Sequence, residues 1–152
     1  TPQSELYARD APRSVDMKHW SNKYIGKPWE AYASGPDSFD CWGLVRHVLI
    51  NEFNVHALQR YADVITDDHR EFHRMVLGEM KLGRWRQVRS PEDGAVVLLA
   101  RKNAFSHIGI VASTVVLHVR DGSSTCRESL FSLSRSFNRV EFWVHESLSR
   151  DS

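Results

Sequence analysis

The chain has 152 residues, 41% hydrophobic and 26% charged, with a formal net charge of +1 at pH 7. That is enough for one globular domain with a substantial core, and too balanced for a nucleic-acid-binding surface. Two cysteines, Cys41 and Cys126, exclude a disulfide framework and a cysteine-rich zinc site, and both are expected to be reduced.

Residues 1–13, with Pro2, Pro12 and mixed charges, read as a flexible arm before a single domain over 14–152. No signal peptide is visible, and no apolar run approaches the roughly 20 residues of a membrane span. A helix is expected from Ser14, with Met17, Trp20 and Tyr24 on one side, Gly26 closing it in a left-handed conformation and Pro28 preventing its return. Ser34 to Ser38 is loop chemistry. Next comes Phe39-Asp40-Cys41-Trp42-Gly43-Leu44-Val45, where a helix is predicted to start at Cys41 under an Asp40 cap. Val45, Leu49 and Phe53 share its apolar stripe, so it should run to about Phe53. A further helix is predicted from about Asp67 to Met80, with Thr66 or Asp67 near its start and Phe72, Met75, Val76 and Met80 inward. His69 and His73 stand at i, i+4 on it, a spacing that can bind metal, but without an evident third ligand they read as surface histidines.

After Gly83 the texture turns to strands. The turn Pro91-Glu92-Asp93-Gly94 leads to a buried strand over 95–100, and Arg101 to Ser106 reads as a polar connection. Strands over 107–111 and 115–119 form a hairpin, and the last strands are expected at 126–130 and 140–144. Helices first and antiparallel strands second predict an α+β fold.

A thiol at a helix start faces unpaired N–H groups and the positive end of the helix dipole, which favour thiolate. The alternative is a small buried hydrophobe opening a core helix. A nucleophilic thiol needs a base, and the base an orienting group. His107 and His118 lie on the two strands of one predicted hairpin and can share a face, although Leu117 or Val119 could face the core there instead. If Cys41 packs against that face, His107 takes its proton and His118 holds the far ring nitrogen. A thiolate–imidazolium pair of this kind would carry a strongly depressed thiol pKa, about 3–4 in papain-like pairs. The Cys41 N–H could then hold an oxyanion.

The stretch around Cys41 resembles the nucleophile motif of the NlpC-type cell-wall peptidases, papain-like cysteine peptidases of bacteria and their phages. Gly26-Lys27-Pro28-Trp29 and Gly35-Pro36-Asp37-Ser38 resemble the entry to that motif. His107-Ile108-Gly109-Ile110 resembles the strand carrying the family's base, approached through Pro91 to Val97. Trp42 directly after the cysteine is similar to tail-associated members of tailed phages and prophages. The resemblance covers roughly residues 15 to 145. It implies a papain-like fold, helices on a five- or six-stranded antiparallel sheet, with Cys41 as nucleophile, His107 as base and His118 as orienting residue. On the oxyanion and substrate side it implies Trp29, standing where a tyrosine is common, together with Asp40 and Trp42. No cofactor or metal is implied. The substrate would be an amide bond of the peptidoglycan stem peptide, of the D-glutamyl-diaminopimelate type. Partners would be bacterial peptidoglycan and other phage tail-tip proteins, with action at a phage tail or the cell envelope. A structural tail component with little activity, and an acyltransferase or amidase with the same Cys–His chemistry, are the alternatives.

Overall fold

The computed structural model describes residues 19–64, 66 and 68–149. Helix α1 (Cys41–Phe53) begins where the sequence places it. Asp40 is extended at φ −90° and ψ 179°, and its carboxylate accepts the Gly43 N–H at 2.6 Å, satisfying one of the donors a helix start leaves unpaired. Asn54 closes the helix in a left-handed conformation at φ 59°. Leu44, Val45, Val48 and Leu49 are all fully buried, which makes α1 the central helix of the core. Helix α2 (His69–Lys81) buries Phe72, Met75 and Val76, as its periodicity predicts. Its cap is Asp68, one or two residues later than expected, and Asp67 lies outside the described residues.

The described residues form a six-stranded antiparallel sheet in the order β1 (Trp85–Val88), β6 (Arg139–His145), β2 (Val96–Arg101), β3 (Ala104–Ala112), β4 (Val115–His118), β5 (Cys126–Glu128). Short helices α3 (Leu130–Ser134) and α4 (Glu146–Ser149) flank β6 in sequence. Alternation divides the central strands between two cores. Val96, Leu98, Ile108, Ile110 and Leu117 pack with α1 and α2. Val97, Leu99, Val111 and Val116 pack with Leu130 and Leu133 of α3 and with Phe142 and Val144. Covered on both faces, β2 reads as an unbroken apolar run over 96–100 and β3 as one over 108–112.

The structure departs from the sequence reading in several places. Ser14 to Lys18 lie outside the described residues. Trp20–Tyr24 forms a 3-10 turn capped by the His19 side chain, not the end of a long helix. Gly26 does take the left-handed conformation, at φ 87°. Arg101 to Ser106 is not a polar connection: β3 starts at Ala104, and Lys102-Asn103 alone turn the chain between paired Arg101 and Ala104. Lys102 supplies the positive φ, 57°, that glycine usually marks, so the turn carries no glycine signal. Strand β1 and helices α3 and α4 are not foreseen by the sequence: each has only four or five residues, too few for a period to show. The strand expected over 126–130 ends at Glu128, before α3 begins.

Candidate active site

Cys41 is the first residue of α1 and only 4% exposed. Its thiol bonds with the Thr66 side chain and with the backbone N–H groups of Trp42 and Ile108, which ties the helix start to β3. Gly43 makes the approach possible: a Cβ there would stand 2.0 Å from the Ala33 carbonyl oxygen, so only glycine admits the preceding loop this close to the helix.

His107 reaches the same place from β3. Leu99 pairs with His107 and Ala100 with Phe105, so Ser106 is an extra residue in the strand. Such a bulge turns neighbouring side chains toward one side and is common beside active sites. Cys41, Ser106 and His107 all line one cleft of about 200 Å³, together with Trp29, Thr66 and His69. Arg101, Arg120 and Asp121 supply charge at its wall. The Ser106 hydroxyl is buried without a hydrogen-bond partner.

Behind the cleft the imidazoles form a chain. His107 Nε2 lies 2.9 Å from His118 Nδ1, and His118 Nε2 lies 2.8 Å from Glu128 Oε1 on β5. Ser132 Oγ donates to Glu128 Oε2 at 2.5 Å. The His107 ring stacks at 13° on Phe137, which fixes its plane. Gly109 gives His118 its room: a Cβ there would meet Val116 Cγ1 at 2.6 Å and His118 Cβ at 3.2 Å. Both ring nitrogens of His107 are accounted for if Nε2–H donates to His118 and Nδ1 is left toward the cleft. That tautomer requires His118 Nδ1 to accept, hence His118 Nε2–H to donate, and a carboxylate is the partner that accepts it. Bonding to His118 holds Glu128 ionised, its carboxyl lowered to about 2.

Electrostatics at the thiol differ from the expectation. Burial, then the adjacent Asp40 carboxylate, push the Cys41 thiol up to about 12, against the depressed value expected at a helix start. Burial likewise pulls His107 well below the ordinary histidine value, and the neighbouring His118 and the Arg120 and Arg101 guanidiniums act in the same direction. Desolvation outweighs the helix dipole and favours a neutral thiol and a neutral imidazole in the resting cleft. Proton transfer then has to accompany attack on a substrate.

The structure brings Cys41, His107, His118 and Trp29 together and leaves two other expected residues aside. Asp40 is turned into the α1 backbone as its cap, and Trp42 lies in the core, its indole N–H donating to the Gln59 carbonyl at 3.0 Å. Neither lines the cleft, because side chains on successive residues of a helix diverge by about 100°. His69 and His73 do not act as a pair: His69 sits at the cleft, while His73 Nδ1 accepts the Phe105 N–H at 3.0 Å. Sequence reasoning missed Glu128, Ser132, Thr66 and Ser106. The pairing of β4 with β5, which sets His118 against Cys126 and brings Glu128 near, leaves no mark in the spacing.

A model described as the NlpC/P60 family matches residues 26–136. Among solved structures the chain is similar to an NlpC2 protein from Trichomonas vaginalis, at 17% identity and a TM-score of 0.55, over 88% of this chain and 50% of that one. The chain thus spans about half the length of that protein, and the likeness concerns the α+β fold. No curated protein matches the chain in sequence.

Proposed function

The chain belongs to the NlpC/P60 family, whose members are generally cysteine peptidases and related hydrolases, and from that premise we propose that it is a thiol-dependent endopeptidase of peptidoglycan stem peptides, cutting on the D-glutamyl-diaminopimelate pattern at the tip of a phage tail. The observation carrying this reading is the meeting, in one cleft, of a helix-start thiol and an imidazole whose far nitrogen is already committed to a second histidine. Cys41 Sγ attacks the scissile carbonyl as its proton passes to His107 Nδ1. The oxyanion forms beside the Cys41 backbone N–H at the start of α1, with Trp29 at the cleft wall. The imidazolium returns the proton to the leaving amine, and water, deprotonated by the same ring, releases the thioester. His118 and Glu128 hold His107 in the tautomer that leaves Nδ1 free. Arg101 and Arg120 at the cleft suit a substrate rich in free carboxylates, as stem peptides are. The placement on a phage tail rests on Trp42 following Cys41.

The test is incubation of the protein and of Cys41→Ala with purified peptidoglycan, reading released fragments by mass spectrometry. New stem-peptide fragments from the unaltered protein alone are expected, and their masses identify the bond. Equal release by Cys41→Ala would overturn the thiol mechanism. No release by either would favour a structural tail part, and release only with an added amine acceptor would favour acyl transfer.

A further inference from the structure

We infer that His118, Cys126 and Glu128 form a binding site for a borderline-soft divalent cation, zinc by chemistry, and that the ion silences the peptidase from behind its base. The three offer one nitrogen, one sulfur and one oxygen, and these atoms lie within 4.8 Å of one another. His118 Nε2 stands 2.8 Å from Glu128 Oε1 and 3.8 Å from Cys126 Sγ. Zinc binds nitrogen, sulfur and oxygen at about 2.0–2.3 Å in a tetrahedron, which puts neighbouring ligand atoms roughly 3.3–3.6 Å apart. The separations already bracket that spacing. Mixed N, S and O donors select zinc over magnesium or calcium, and water can fill the fourth position.

The surroundings are built for a ligand role. Ser132 holds Glu128 Oε2, leaving Oε1 to bind, as supporting hydrogen bonds do around metal carboxylates. His118 is 2% exposed, whereas the Glu128 side chain is 23% exposed, so an ion enters from the β5 side without crossing the cleft. Arg120 Nη2 lies 3.7 Å from Glu128 Oε1 and is the cation an incoming ion displaces; its side chain is 40% exposed and can turn to water.

Occupancy has a defined effect on the proton chain. The ion takes the Nε2 lone pair of His118, so the ring proton moves from Nε2 to Nδ1. His118 Nδ1–H then donates to His107 Nε2, whose own proton moves to Nδ1, on the ring that shares the cleft with Cys41. Both rings stay neutral, no base remains opposite Cys41, and the one proton lost to solvent is that of the Cys126 thiol. The silencing half of this inference rests on the peptidase reading; the binding half does not.

The test is titration of the metal-free protein with Co2+ as a spectroscopic stand-in for Zn2+, for the unaltered chain, Cys126→Ala and Cys41→Ala. A thiolate-to-cobalt charge-transfer band with strong tetrahedral visible bands is expected in the unaltered protein and in Cys41→Ala, absent in Cys126→Ala. Zinc should release about one proton per ion at neutral pH. Stoichiometric zinc should stop fragment release by the unaltered protein and leave Cys126→Ala working at its metal-free rate. No band, or a band lost with Cys41 instead of Cys126, overturns the site. A band without loss of hydrolysis overturns the silencing. If the protein hydrolyses nothing, the cobalt spectra and proton count still decide the site.

Discussion

At the scale of single residues, the candidate site is a line of proton positions fixed by hydrogen bonds. Glu128 is the fixed point: ionised, anchored by Ser132, and accepting from His118. It touches no substrate, so it is a positioning residue. Replacing it by Ala removes a charge-assisted bond, a loss of about tenfold to a hundredfold in kcat. KM should change little, and the acid limb of the kcat/KM profile should move, which a purely structural loss would not cause. Cys41 gives a second prediction. Because burial pushes its thiol up and His107 down, alkylation of Cys41 by iodoacetamide should be slow at pH 7 and accelerate as pH rises. Rapid labelling at pH 6 would show a preformed ion pair instead. Cys41, His107 and His118 were legible because each lies within a local pattern, a capped helix start or a strand next to a turn. Glu128 was not, because it meets His118 only through the pairing of two short strands, and a lone acidic residue on a three-residue strand has no signature.

At the scale of elements, close approach decides more than propensity. Two glycines occupy the long helices. A Cβ at Gly43 would stand 2.0 Å from a backbone carbonyl, whereas one at Gly78 in α2 would meet nothing within 4 Å. Gly78→Ala should stabilise by up to about 1 kcal/mol through helix propensity. Gly43→Ala should cost about 3 kcal/mol or more, since a loop carbonyl must move away from the helix that presents Cys41. Urea unfolding of both variants checks the pair, and equal effects would refute the steric account. The two long helices were legible from acidic caps and apolar positions in sequence, and the central strands from continuous apolar runs bounded by turns. What stayed hidden were a turn whose positive φ is carried by Lys102, and elements shorter than the period that would announce them.

At the scale of the whole molecule, buried titratable groups set the response to acid. Burial lowers His107, and less strongly His47 and His145, below their unfolded value. Below that value the unfolded chain binds protons that the folded chain refuses, so stability falls with pH. Glu128 adds in the same direction: its contribution is present above its unfolded value near 4.5 and is lost as pH falls toward about 2. Asp40, raised by burial, opposes both. Thermal melting should therefore show Tm dropping from pH 7 to 5 and dropping further below pH 4.5. A Glu128→Gln protein should lose part of the lower dependence, the rest belonging to Glu52, which, against burial, its bonds to Lys23 and Tyr24 hold low, and keep the upper; an unchanged profile would count against the assignment.

The extra residue in β3 separates what the chain needs for folding from what it keeps for work. Phe105 and Ile108 both face the α1 and α2 core although three positions apart, which regular alternation forbids and the surplus at Ser106 permits. Excise Ser106 and the ladder closes into an ordinary strand, with Phe105, His107 and Ile108 each pointing where they point now. The shortened protein should melt no earlier than its parent. That result would show that the architecture has no use for Ser106, a residue of the cleft lining whose hydroxyl is buried without a partner, and a residue the scaffold discards at no loss is one retained for whatever enters the cleft.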